Sequence, residues 1–197
     1  MADWTLGTDS NLYHGKSRKG AASPVIQYYQ ESTCPSTEVI KRGDVVSQDT
    51  NVTTGGFRVR RGYLGGGNES NLLGVGQHIL GVAVETSTSD GAGTNYSSGA
   101  APMNHPIGVV IADLDTEYVG YLASTAATKP VSASSLIGLE RSVRYDSTNH
   151  IYTIDNVNST VALRTVKITG IPDGTDGDTN GPVYFKFLSS NISEAVL

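Results

Sequence analysis

Ile107-Gly108-Val109-Val110-Ile111-Ala112 decides the fold, together with Ile79-Leu80-Gly81-Val82-Ala83-Val84-Glu85. Both are short, continuous apolar runs, the pattern of strands buried on both faces. Such strands suit a small barrel or a sandwich. Gly81, Ala83 and Gly108 within them allow close backbone approach or sharp coiling.

Working upstream, Glu38-Val39-Ile40, Asp44-Val45-Val46-Ser47 and Phe57-Arg58-Val59-Arg60 are further short, Gly-bounded runs. The last alternates strictly, with Phe57 and Val59 on one face and arginines on the other. Downstream come Tyr118–Leu122, Leu136–Tyr145, Ile151–Asp155, Val161–Thr169 and Val183–Leu188. The alternation switches partway through Val161–Thr169, which predicts a bulge or twist. Val183, Phe185 and Phe187 share one face of the final strand. Tyr145–Ile151 reads as a hairpin with a polar loop. No amphipathic helix of ten or more residues and no repeat of fixed period is visible. The chain reads as all-β.

The organisation follows from what lies between these runs. Residues 1–36 read as an extended N-terminal arm in which Trp4, Leu6, Leu12 and Tyr13 follow neither strand nor helix period. One stretch of it, Val25–Gln30 with Tyr28 and Tyr29, could form a strand. The arm lacks the apolar area to order itself and is expected to order against a partner, so that its deletion would spare the β fold. Residues 37–122 read as a barrel-like core. The Gly/Ser/Thr-rich connection Thr86–Pro106 is long enough to imply a contact or a function. Residues 123–135 read as a loose connection, and 136–197 as further strands, either completing the same domain or standing apart.

Composition sets the bounds. The 197 residues can bury a core without disulfides. Hydrophobic residues are 38% and charged residues only 17%, and the balance is filled by Ser, Thr and 23 Gly. That is a β protein with much loop. A net charge of −5, with the only basic runs at Lys16–Lys19 and Arg58–Arg61, argues against nucleic acid as a partner. The single cysteine, Cys34, excludes an internal disulfide framework. No apolar run approaches a membrane span, and the N-terminus shows no secretory leader, so neither a membrane partner nor export is expected.

The chemistry-bearing candidates are few. In Asp173–Gly181, the oxygens of Asp176, Asp178 and Asn180 match the first half of an EF-hand calcium loop. The twelfth position is Phe187 rather than Glu and strands flank the loop, so a Gly/Asp turn is the favoured account. Arg42-Gly43-Asp44 spells the integrin-binding tripeptide but opens a strand as an ordinary turn. Asp113, Asp115 and Glu117 share parity at a strand end and could cluster as paired acids, though solvated acids are usual there. The histidines His14, His78, His105 and His150 make no ligand pair, and neither a nucleophile elbow nor a phosphate loop occurs. These readings point to no catalysis, no cofactor and no metal.

Arg42-Gly43-Asp44-Val45-Val46, Gly81-Val82-Ala83-Val84 and Ile107–Ala112 together resemble the decoration (cement) proteins of tailed-bacteriophage capsids. The resemblance covers Lys41–Leu122, under half the chain. It implies a small β-barrel or β-tulip, an arm that grips the shell, binding to the major capsid protein, and trimers where capsomers meet. It places the protein on the outer capsid surface of a virion, made in the host cytoplasm. On that reading Trp4, Leu6, Leu12, Tyr13, Tyr28 and Tyr29 are the capsid-contacting residues. Strands apolar on both faces need cover on both, so self-association is expected too, with Val183, Phe185 and Phe187 as contacts. The number three comes from the resemblance alone. The rivals are a tail-fibre or other receptor- or carbohydrate-binding β module, and a hydrolytic domain. A tail-fibre or receptor-binding module should show repeats or a coiled coil, and a carbohydrate-binding or hydrolytic domain clustered aromatics.

Overall fold

Two closed rings of strands, wound alike, meet across one apolar cluster, and the first ring encloses a second. The computed structural model describes residues 13–14, 25–31, 40–48, 58–62, 78–84, 107–124, 129–146, 151–156 and 164–193. Its strands are β1 (Tyr13–His14), β2 (Ile26–Glu31), β3 (Val45–Gln48), β4 (Arg58–Arg61), β5 (Ile79–Ala83) and β6 (Ile107–Ile111). Then follow β7 (Tyr118–Ala123), β8 (Glu140–Asp146), β9 (Ile151–Asp155), β10 (Val166–Gly170) and β11 (Pro182–Phe187). The only helical turns among the described residues are single 3-10 turns at Ser134–Leu136 and Ser189–Asn191. The fold is all-β.

The first ring is a closed barrel in the order β2-β4-β3-β5-β6. The second runs β7-β11-β10-β8-β9, and a further β9–β7 pairing closes it. Numbered one to five in chain order, both rings read 1-3-2-4-5, with the first and third strands parallel and every other pair antiparallel. The registers also agree. Ile26 pairs with Val110, Gly81 with Ile111 and Gln30 with Arg58. In the second ring Val119 pairs with Tyr184, Ile168 with Phe185 and Ala123 with Asp155. Laying Ile26 on Val119 brings each of these pairs onto its counterpart. None of the six first-ring residues in these pairs is identical to its counterpart, and no sequence period shows.

The continuous apolar strands are buried on both faces, as their composition requires. Val46, Leu80, Val109 and Ile111 belong to one cluster with Ile40 and Val59, which fills the first ring. Their neighbours Val45, Ile79, Val82, Val110 and Ala112 face the other way, into a cluster with Tyr118, Tyr152, Phe185 and Phe187 of the second ring. At β3, β5 and β6 the outer face of the first ring is therefore covered by the second ring of the same chain. This corrects the expectation that Val183, Phe185 and Phe187 make oligomer contacts. Those side chains lie in the chain's own core, and the stated physical ground for self-association is met internally.

Hydrogen bonds cross the same junction. The Tyr118 hydroxyl donates to the Val110 carbonyl at 3.0 Å, and the Ser193 N–H donates to the Ile79 carbonyl at 2.8 Å. Ser193 Oγ lies 2.9 Å from Gln48 Oε1 as donor, and Ile79 and Ile192 form a parallel bridge.

The domain division also differs from expectation. The rings meet between Ile111 and Tyr118, not at 123–135, because β7 opens the second ring and β2 opens the first. The arm therefore supplies integral structure, and deletion of residues 1–36 would remove a strand of the first ring. Residues 129–136 are tied down as well, through the bridge of Val131 to Thr179 and the bond from Ser132 N–H to the Asp178 carbonyl. The bulge expected in 161–169 lies at its end, where the register shifts between Ile168 and Gly170.

Candidate functional site

Among the described residues, the first half of β2 has a strand on one edge alone. Strand β6 runs along one edge of β2 from Ile26 to Tyr29, whereas β4 meets the other edge only at Gln30 and Glu31. The Val25 carbonyl accepts a 3.0 Å bond from the Ile111 N–H. In an antiparallel pair, bonding alternates along the strand, so Val25, Gln27 and Tyr29 turn their backbone groups to β6. Ile26 and Tyr28 turn theirs to the opposite edge. No strand pairs with that edge at these two residues among the described residues. The side chains beside it are apolar and exposed: Val25 is 52% accessible, Ile26 45% and Tyr28 64%.

Tyr29 behaves differently. Its ring packs against the first-ring cluster and its hydroxyl donates to Gln27 Oε1. Burial raises its pKa above the ordinary 10.0. Two of the arm's three tyrosines thus separate into an anchor, Tyr29, and an outward face, Tyr28. Of the other arm residues, Tyr13 lies in β1, where it pairs with Val119, and Trp4, Leu6 and Leu12 lie outside the described residues. The sequence marked Val25–Gln30 as a strand, but only the ring topology tells which of its edges β6 takes.

The remaining candidates resolve into structural roles. Asp44 is buried, and its carboxylate accepts the Lys41 N–H at 2.8 Å within a turn whose Gly43 has φ 86°. The integrin-like tripeptide is a turn with its acid turned inward. Asp113 Oδ1 accepts the N–H of Asp115 at 2.8 Å and that of Thr116, so it caps the connection between the rings. Asp115 is exposed and Glu117 is buried.

The 173–181 loop is a chain of turns: Thr175, Asp178 and Gly181 N–H groups donate to the Pro172, Thr175 and Asp178 carbonyls respectively. Gly174 and Gly177 have φ of 78° and 94°, and Asn180 has φ 51°. Ser132 Oγ donates to the Thr175 carbonyl, which draws that loop oxygen inward. Among the described residues, no three His, Cys, Asp or Glu side chains converge in a way that could hold a metal. Asp176 and Asp178 are exposed. Cys34, His105 and His150 lie outside the described residues, while His78 is exposed at the start of β5.

No family model, curated protein or solved structure matches this chain. Among the described residues no helix is long and apolar enough to cross a membrane.

Proposed function

We propose that this chain is a structural virion protein that decorates an icosahedral phage capsid and stabilises it by binding the major capsid protein. The observation that carries the reading is the β2 flank: among the described residues, the double ring presents a short strand whose Val25, Ile26 and Tyr28 are apolar and exposed. A protein that binds by surface and shape needs such a flank, and its fused rings hold the flank in one orientation at little entropic cost. The resemblance of Lys41–Leu122 to decoration proteins supplies the kind of surface. Many copies on one lattice convert modest single contacts into firm attachment. Trimerisation rests on the resemblance alone, since the apolar faces are covered within the chain.

The test is rebinding. Purified protein is mixed with capsid shells stripped of it, and the shells are sedimented. Co-sedimentation that saturates at a fixed copy number per shell is expected, together with a higher disruption temperature for the decorated shells. Protein left in the supernatant at all concentrations overturns the reading.

A further inference from the structure

The second ring ends in charge at one of its mouths. On its inner side Val143 pairs with Ile154, and Val166 pairs with Arg141. Val143, Ile154 and Val166 all lie in the apolar cluster. Side chains alternate along a strand, so the next residues on the same side are Arg141 in β8, Asn156 just after β9 and Arg164 just before β10. Three neighbouring strands thus change from apolar to polar within one such step of each other, and all three residues are half-buried.

The charges gathered there do not cancel. Arg141 Nε donates to Asn156 Oδ1 at 3.2 Å, and its Nη1 donates to the Glu140 carbonyl at 2.9 Å. Both acceptors are neutral. Among the described residues no carboxylate stands within ion-pair distance of Arg141. The two acids nearby are engaged elsewhere. Asp155 Oδ2 accepts from Arg144, while Glu140 lies 3.7 Å from Arg164 and stands opposite Lys167 in the ladder. The seven residues 157–163 that join Asn156 to Arg164 carry no acid. Burial, and then the charge of Arg164, lower the Arg141 pKa, against the pull of Asp155. The two guanidiniums therefore lie in each other's field, in a place partly withdrawn from water.

We propose that this mouth of the second ring is an oxyanion site, in which Arg141 and Arg164 take a phosphate or carboxylate group. The Asn156 and Glu140 contacts hold the Arg141 guanidinium by one edge, and its remaining N–H groups form a fork that two oxygens of one anion match. Arg164 adds the second positive charge. Its contact with Glu140 is long and half-exposed, so an arriving anion has little to displace. Barrel mouths are frequent ligand sites, because the ring holds the polar groups of several strands at fixed spacing. The inference goes beyond the capsid reading and does not rest on it, since it concerns the second ring and not the β2 flank.

The test replaces chloride by phosphate or by acetate around the full chain, at fixed ionic strength. Arginine Nε–H resonances and thermal melts are the readouts. Either anion should shift the Arg141 and Arg164 resonances saturably and raise the melting temperature as its concentration grows. Tighter saturation by phosphate names a phosphoryl group as the ligand, and tighter saturation by acetate names a carboxylate. Arg141→Gln should abolish both effects. Arg141→Lys keeps the charge and loses the fork, and should weaken binding about tenfold. Resonances that do not move, or that move linearly without saturating, would overturn the inference. So would binding that persists unchanged in Arg141→Gln. If that variant does not fold, Arg164→Gln decides at the more loosely held position: weaker binding supports the site, and unchanged binding overturns it.

Discussion

The Tyr118 hydroxyl reaches out of the second ring to the Val110 carbonyl of the first, 3.0 Å away, with the ring stacked on Phe185 at a centroid distance of 5.6 Å. Phe187 meets the same ring edge-on at 5.3 Å. One side chain therefore belongs to the core of one ring and to the main chain of the other.

Tyr118→Phe keeps the packing and removes the bond, leaving a buried carbonyl with one partner fewer. A loss of about 1 kcal/mol is expected in denaturant unfolding. Burial, and secondarily the charge of Asp113, hold the Tyr118 phenol well above its ordinary pKa of 10.0. The folded state keeps this proton where the unfolded state releases it. Its contribution is thus intact below about pH 10 and is lost as pH rises toward the folded pKa. Melting temperature measured from pH 8 upward should fall at the alkaline end, and fall less steeply in Tyr118→Phe.

Gly81 has φ 155°, and a Cβ placed there would stand 1.8 Å from the Val110 carbonyl oxygen. Backbone cannot yield as a flexible side chain can. Gly81→Ala should cost more than ~3 kcal/mol or prevent folding altogether, read as loss of soluble protein or of the thermal transition. A variant that melts within a few degrees of the parent would show that β5 and β6 are not so closely apposed.

Asp155 is buried at the end of β9, where Arg144 Nε donates to its Oδ2 at 2.9 Å and Nη2 donates to the same oxygen. Arg144→Ala strands part of that charge. Because Arg144 itself keeps some access to water, a loss of about 2 kcal/mol is expected, below that of a fully buried pair. Urea unfolding of Arg144→Ala and of the double variant Arg144→Ala/Asp155→Asn measures it, and the double variant should recover part of the loss.

The 173–181 loop is held by its own turns and by Ser132, so thermal melts in calcium and in chelator should coincide. A ligand that binds only the folded state must raise its stability. A drop of several degrees on chelation would revive the calcium reading of Asp176, Asp178 and Asn180.

Much of the first ring was legible in the sequence, because 79–83 and 107–111 are apolar at every position and such runs have few homes. The alternation of Val183, Phe185 and Phe187 was legible for the same reason, and the structure buries all three. Their destination was not. Periodicity says that a face is buried, and not whether a second ring or a second chain buries it. The repeat was hidden because register is a property of backbone pairing, to which Ile26 and Val119, or Gly81 and Ile168, contribute without resembling each other. The pairing of β2 was hidden too, since Val25–Gln30 looks the same with one neighbour or two.

Each ring closes by joining its first strand to its last, β2 to β6 and β7 to β11. These are contacts of long sequence separation, which makes for slow folding. During synthesis the first ring completes only when β6 has emerged, and Val45, Val82 and Val110 then stand uncovered until the second ring is made. Translation therefore produces a transient half-protein with a sticky outer wall, and a pause in elongation after Ile111 is the moment at which a nascent chain would most need a chaperone.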